Sequence, residues 1–332
     1  MQINRIRHAC LMALLSAGAV LASGSVTLAE AQAPATDAAQ AEQAANRPAQ
    51  LTWAPPTLEN PTTIDVAQVI KDRADAPRPA HLKLDKSKDY IIKMPSEPLT
   101  TTGGLSIGGG RNVVLIGGEI RFDEPPVVVP GEKEAALRRR AVYVNGATGT
   151  VHVEGLLITG EYAAEGFNID MRDPNAVLQI QNVRVEKLLG TREGHHADVV
   201  QTWAGPAELR IDRLTGISQY QGFFLGPDQH FKDANVKVFD FRRMNVRAGG
   251  YVYWQLRPFP MKLEDVWAES ENPDRQWPEL VLWPKNSPVW EPVKRGAPTG
   301  GDFVPEGVAG INYVSPGYAP SVSEPTANVP TP

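Results

Sequence analysis

The sequence predicts an all-β fold, a right-handed parallel β-helix (a solenoid of stacked coils) with a short N-terminal capping helix. Two observations carry this prediction: an apolar repeat along the middle of the chain, and a second short strand ahead of each copy. The repeat reads apolar-x-apolar-x-x-apolar, often with one more apolar residue two places on. It occurs as Val151, Val153, Leu156, Ile158, then as Leu178, Ile180, Val183, Val185, and then as Leu209, Ile211, Leu214. Phe239, Phe241, Met244, Val246 and Met261, Leu263, Val266 follow, and Val113, Leu115, Ile120 form an earlier, weaker copy. Successive copies lie 27, 31, 30 and 22 residues apart. The strands ahead of them are Val142–Val144, Phe167–Ile169, Asp198–Val200, Gly222–Phe224 and Val252–Trp254. Short strands at this spacing with no helix between them suit coils in which each turn stacks on the last. A single coil buries three or four apolar side chains at roughly 1.5–3 kcal/mol each, so it needs neighbours to stand.

The rest of the chain is read in order around that block. Residues 1–31 have the layout of a signal peptide. Arg5 and Arg7 precede the apolar run Leu11–Ala22, and Ala29-Glu30-Ala31 offers a cleavage site. The expectation is an exported, periplasmic or secreted protein with no membrane span. Residues 32–60, rich in Ala, Gln and Pro, read as a solvated linker. The coil domain takes 61–296. A helix over 62–73 opens it, signalled by Thr62 and Asp65 as a capping box with Val66, Val69 and Ile70 on one face. The Trp- and Pro-rich stretch 267–296 is placed to cover the far end, because a parallel stack otherwise leaves strands open to other chains. Residues 297–332 hold seven prolines and little to bury, and read as a tail. Cys10 is the only cysteine. Without other thiols there is no disulfide framework, cysteine zinc site or thiol nucleophile. A net charge of −5 argues against nucleic acid, which rewards a basic footprint.

Asn112-Val-Val-Leu-Ile-Gly-Gly-Glu-Ile120 resembles the early rung of the pectate-lyase-like superfamily, and the rungs from 141 to 268 resemble its generic coil repeat. That resemblance implies polysaccharide lyases and glycoside hydrolases first, with some epimerases, tailspikes and adhesins. No catalytic motif of a single family matches residue by residue.

The densest polar cluster is Arg192-Glu193-Gly194-His195-His196-Ala197-Asp198, followed by Gln201 on the same strand. Imidazoles exchange protons near neutrality, and a carboxylate beside one fixes its tautomer. Tyr220 opens the next rung above it. These residues, His195, His196, Asp198, Gln201 and Tyr220, are the candidate catalytic set. For strands, alternation of side chains puts Val144, Ile169, Val200 and Phe224 inward. Asn145, Asp170, Gln201 and Gln255 then form one outward column, with Tyr143, Asn168, Val199, Phe223 and Tyr253 beside it. On the same count Asp198 points inward. Amides, carboxylates and aromatic faces are what a saccharide groove requires. The candidate binding residues are Asn145, Asp170, Trp203, Gln221, Tyr251, Tyr253, Gln255 and Arg257, the last of which can meet a uronate carboxylate. No cofactor is expected, and His195 and His196 face opposite ways on a strand, so no metal site is assigned. Calcium held by carboxylates such as Asp170 and Asp198 is the one metal alternative. The partner expected is a polysaccharide or oligosaccharide, and monomer against homotrimer is left open. Three activities are carried forward: a uronate-specific lyase, a glycoside hydrolase, and a glycan-binding or envelope-structural protein.

Overall fold

The computed structural model describes residues 48–71, 80–100, 103–125, 140–191 and 196–317. All of these lie in the unit Gln43–Pro332. The expected signal segment, residues 1–31, falls outside the described residues, as does His195.

Among the described residues, nineteen strands and one α-helix follow in chain order. They are β1 (Thr62–Asp65), α1 (Val66–Lys71), β2 (Ala80–Leu84), β3 (Tyr90–Lys93), β4 (Leu105–Gly109), β5 (Val113–Ile116) and β6 (Glu119–Arg121). Then come β7 (Arg140–Asn145), β8 (Thr150–Glu154), β9 (Leu157–Thr159), β10 (Glu165–Asp170), β11 (Val177–Leu188), β12 (Asp198–Ala204) and β13 (Glu208–Ser218). The last are β14 (Gln221–Leu225), β15 (Val238–Ala248), β16 (Tyr253–Gln255), β17 (Met261–Ser270), β18 (Leu282–Trp283) and β19 (Lys294–Arg295).

They pair into two sheets, and every pairing is parallel. Sheet A has 11 strands, with β1-β3-β5-β8-β11-β13-β15-β17-β19 as its path, β9 also pairing β11, and β6 pairing β9. Sheet B has eight, in the order β2-β4-β7-β10-β12-β14-β16-β18. Each strand of sheet B is followed in the chain by one of sheet A, so every coil contributes to both sheets, and the coils that hold β5 and β8 give sheet A a second short strand, β6 and β9. A parallel all-β solenoid follows, with no closed barrel.

The two unconstrained positions in the apolar repeat have a backbone meaning. Gly117, Gly155, Asn182, Arg213, Arg243 and Asp265 all take left-handed φ, between 46° and 67°. They stack in one column, directly after the paired residues Ile116, Glu154, Gln181, Asp212, Arg242 and Glu264. Each turns its strand, so sheet A bends along a line and the apolar residues on either side both face inward. The predicted repeat residues Val151, Val153, Leu156, Ile158, Leu178, Ile180, Val183 and Val185 are fully buried; so are Leu209, Ile211, Leu214, Phe239, Phe241 and Met244. Met261 and Leu263 are only partly buried against that core, near its end.

Three expectations about the flanks are corrected. The helix starts at Val66, not 62: Thr62–Asp65 pairs in parallel with Tyr90–Lys93, and Asp65 rather than Thr62 accepts the Ala67 N–H at 3.0 Å. Strand pairing overrides the local capping signal. The supposed linker is packed from at least residue 49. The Thr52 and Trp53 N–H groups donate to Gln181, the Thr52 hydroxyl to Asp212 at 2.6 Å, and the Asn182 amide to the Ala49 carbonyl. The supposed tail is docked as far as residue 317. Arg184 donates to Asp302 and to the Val304 carbonyl at 2.7 Å each, and the Tyr313 hydroxyl donates to Glu154 at 2.6 Å. Both segments cover the outer face of sheet A. Val304, Val308 and Ala309 form a small second core there with Leu157. At the far end, Trp290 from the 267–296 stretch stacks on Tyr253 at 5.9 Å.

Candidate functional site

Sheet B is the other outer face, and its registers place the expected residues. Val142, Phe167, Val200, Phe223 and Tyr253 are in line, as are Val144, Ile169, Thr202, Leu225 and Gln255. These two rows face inward. Tyr253 and Gln255 therefore belong to the interior, not to the expected outward columns. Tyr253 donates its hydroxyl to the Trp267 carbonyl at 2.9 Å, burial pushes its pKa well up, and Gln255 donates to the Phe259 carbonyl. Phe223 is likewise interior, packed edge-on against Phe241 and Tyr253, and Val199 is part of the core. For Phe223, Tyr253 and Gln255 the cause is a one-residue slip at Phe224, since one step of register exchanges the two faces of a strand.

The row that does face out is Ser106, Tyr143, Asn168, Gln201, Phe224, Trp254 and Trp283. Asn168 donates to Gln201 at 3.1 Å across neighbouring rungs. Asn145 and Asp170 line a cleft of about 450 Å³ with Lys86, Tyr143 and Arg172. There Arg172 grips Asp170 with two hydrogen bonds at 2.7 and 3.0 Å. Arg257 stands apart from this row, exposed and paired with Asp228 at 2.9 Å.

Of the expected catalytic residues, His196, Asp198 and Tyr220 lie at the corner where the chain turns from sheet A into β12 and β14, while Gln201 stands further along β12 in the outer row. The His196 and Tyr220 rings lie 4.8 Å apart at 38°. His196 is exposed and Tyr220 half-buried against the core. Asp198 opens β12, pairs in register with Gln221, and is fully buried with it. One carboxylate oxygen of Asp198 has no hydrogen-bond partner among the described residues. Burial pushes its pKa well above the carboxylate range, the nearby Glu165 adds to this, and Arg140 opposes it. The direction follows because the charged form of a carboxyl is the one that burial penalises.

Arg140 and Glu165 were missed in the sequence. They open β7 and β10 in register with each other, and Arg140 donates to Glu165 at 2.6 Å. Glu165 stands two residues before Phe167, as Asp198 stands two before the paired Val200. That shared offset was the available signal: a polar residue two places ahead of the inward one in three successive rungs. Arg140 also reaches the outer face, where its guanidinium lies 4.4 Å over the Trp203 ring. His230 sits on the same tryptophan at 5.4 Å. Arg140 thus links the corner to the open face of the sheet.

The chain matches no family model, and no curated protein or solved structure matches it. The site must be read from its own chemistry. It offers a buried carboxyl whose pKa is raised, an ion pair, an exposed imidazole beside a phenol, and amides on the adjoining strand. Among the described residues no group of three or more His, Cys, Asp or Glu is set to hold a metal ion, and none of the helices is long and apolar enough to cross a membrane.

Proposed function

We propose that the chain is an exported glycan-cleaving enzyme that breaks a uronate-containing polysaccharide by β-elimination. The carrying observation is the His196–Tyr220 pair at 4.8 Å, on the corner that also holds Asp198 and adjoins the Gln201 outer row. Elimination needs a base for the C5 proton, a donor for the leaving C4 oxygen, and help for the charge that gathers on the uronate carboxylate. His196 is the base and Tyr220 the donor. Arg140 and Gln201 take the carboxylate, with the buried Asp198 carboxyl behind them in the field of Arg140. Arg140 replaces Arg257 in this role because it lies on the cluster.

The solenoid is read here as right-handed and pectate-lyase-like, with α1 as its N-terminal cap. Parallel crossovers within one sheet are right-handed in about 98% of cases. Export rests on the charged and apolar start of the sequence, and the glycan on the amide and aromatic outer row.

A hydrolase reading has one observation in its favour. Glu165 and Asp198 stand on neighbouring rungs, and strands about 4.8 Å apart approach the roughly 5–5.5 Å carboxyl spacing of retaining glycosidases. The two readings separate by product. Purified protein given polygalacturonate, alginate and glucuronan should generate a conjugated C4–C5 double bond, seen as new ultraviolet absorbance. Reducing ends without that absorbance would favour hydrolysis instead. On a cleaved substrate, His196→Ala and Tyr220→Phe should each lower turnover by roughly 10²–10⁴-fold; full turnover in both would remove the site from this corner.

A further inference from the structure

The outer row of sheet B changes character along the solenoid axis. From Tyr143 to Gln201 it is amide and phenol; from Phe224 onward it is aromatic. Phe224, Trp254 and Trp283 come from three successive rungs in direct register. Their rings meet at 5.4 Å and 6.0 Å, inclined by 60° and 59°. Tyr251 joins them from the adjoining turn, 5.1 Å from Trp254 and 6.0 Å from Trp283. All four are half-buried, and none belongs to the hydrophobic core. The tract is therefore an exterior surface, continuous with the row that adjoins the proposed site.

One feature says what lies on it. The charged side chain recorded on the rings is Arg275, 5.3 Å over Tyr251, and it already donates to the Leu280 carbonyl at 2.7 Å. Aromatic faces of this kind suit the C–H faces of uncharged sugars, whereas the guanidinium that a uronate would seek is already committed to the chain.

We propose that Phe224, Trp254, Trp283 and Tyr251 form a run of subsites for uncharged sugar residues, one per rung, extending the cleavage site toward the C-terminal end. This rests on the glycan reading and sharpens it. The substrate is a heteropolymer lying along the solenoid axis, with its uronate at the corner leading into β12 and β14 and neutral sugars on the aromatic tract.

Affinity electrophoresis of the full chain tests this, using gels cast with galactomannan, xyloglucan or mixed-linkage β-glucan, and with polygalacturonate as the charged comparator. Migration should be retarded in at least one neutral gel. Trp254→Ala with Trp283→Ala should weaken that retardation by about tenfold or more, the combined loss of two stacking contacts. Trp254→Phe should keep most of it, and provides the comparison if the alanine variant fails to fold. Retention in neutral gels without any cleavage would uphold the tract and sink the lyase. Cleavage of a polyuronate with no neutral retention would do the reverse. Two further results would overturn the proposal: retardation unchanged by both substitutions, or a concentration-dependent sedimentation shift abolished by them, which would make a second copy of the chain the occupant.

Discussion

The two outer faces of the solenoid carry similar residues and treat them in opposite ways. On sheet A the polar side chains are covered and satisfied. His152 and Glu154 are fully buried yet bonded to each other at 3.0 Å, and Glu154 also accepts from Tyr313. The Gln179 amide reaches His152 at 2.9 Å, best oriented with its nitrogen donating to Nδ1. Asp212, also buried, takes Arg243 with two hydrogen bonds at 2.7 Å each, Arg213 at 2.8 Å and the Thr52 hydroxyl. On sheet B, Asn168 and Asp198 are as deeply buried, but each keeps an oxygen with no partner among the described residues. Buried polar groups with every bond made hold a fold together. Those left short are costly to it.

The largest effect should come from breaking the sheet A network. Asp212→Ala removes the shared acceptor of Arg213 and Arg243 and should cost about 3–5 kcal/mol in denaturant unfolding, as loss of one partner of a buried ion pair does. A loss under about 1 kcal/mol would show that the docked N-terminal segment contributes little there. Next comes the pair Ile180 and Gln181. Ile180→Ala should lose on the order of 2–5 kcal/mol. Its outward neighbour would be nearly neutral on a bare face, but Gln181 here bonds Thr52 and Trp53. Gln181→Ala should therefore cost about 1–3 kcal/mol, since it strands those backbone groups.

The third test is titration, where the two faces should differ in sign. At the start of sheet A, burial works against the charged Asp89, but Arg111 and the Glu59 and Asn112 N–H groups outweigh it and hold its pKa below the usual range. A depressed carboxylate gives stability that is present above its unfolded pKa, about 3.9, and is lost as pH falls through the folded value. Asp198 is raised, so its contribution is present below that same unfolded value and is lost as pH climbs through the folded one. Asp198→Asn should accordingly raise the melting temperature at neutral pH and above, with the gain vanishing near pH 3. A gain that stayed constant with pH would mean that Asp198 is not a protonated carboxyl in the fold. The smallest effect belongs to Arg257→Ala, an exposed pair with Asp228, which should change stability by less than about 1 kcal/mol.

The repeat was legible because its apolar spacing is a direct image of the backbone: two inward residues, a left-handed turn, and another inward residue. What was illegible has physical causes. Residue types alone do not fix where β14 begins, and a slip of one residue there placed Tyr253 and Gln255 outside and hid Phe224 and Trp254. The docked flanks bind through partners such as Thr52 with Asp212, 160 residues apart, so no local pattern announces them. Arg140 and Glu165 escaped because a polar residue at a strand start reads as an ordinary turn until the rungs are aligned. The His196, Tyr220 and Asp198 grouping was readable because the rung spacing carries one copy of the repeat above the next.

The two flanks also bear on how the molecule comes apart. Leu51 and Gly317 end up close enough for a side chain on the glycine to touch the leucine, and Arg243 reaches Thr52 across 191 residues of chain. Contacts closing loops of that length are the last to form, because their entropy is recovered only once the coils between them are stacked. Interactions that arrive after the rate-limiting step slow unfolding while leaving the folding rate almost unchanged. The seam along sheet A therefore acts as a latch in time: the assembled solenoid should persist far longer, under heat or protease, than its equilibrium stability alone would suggest.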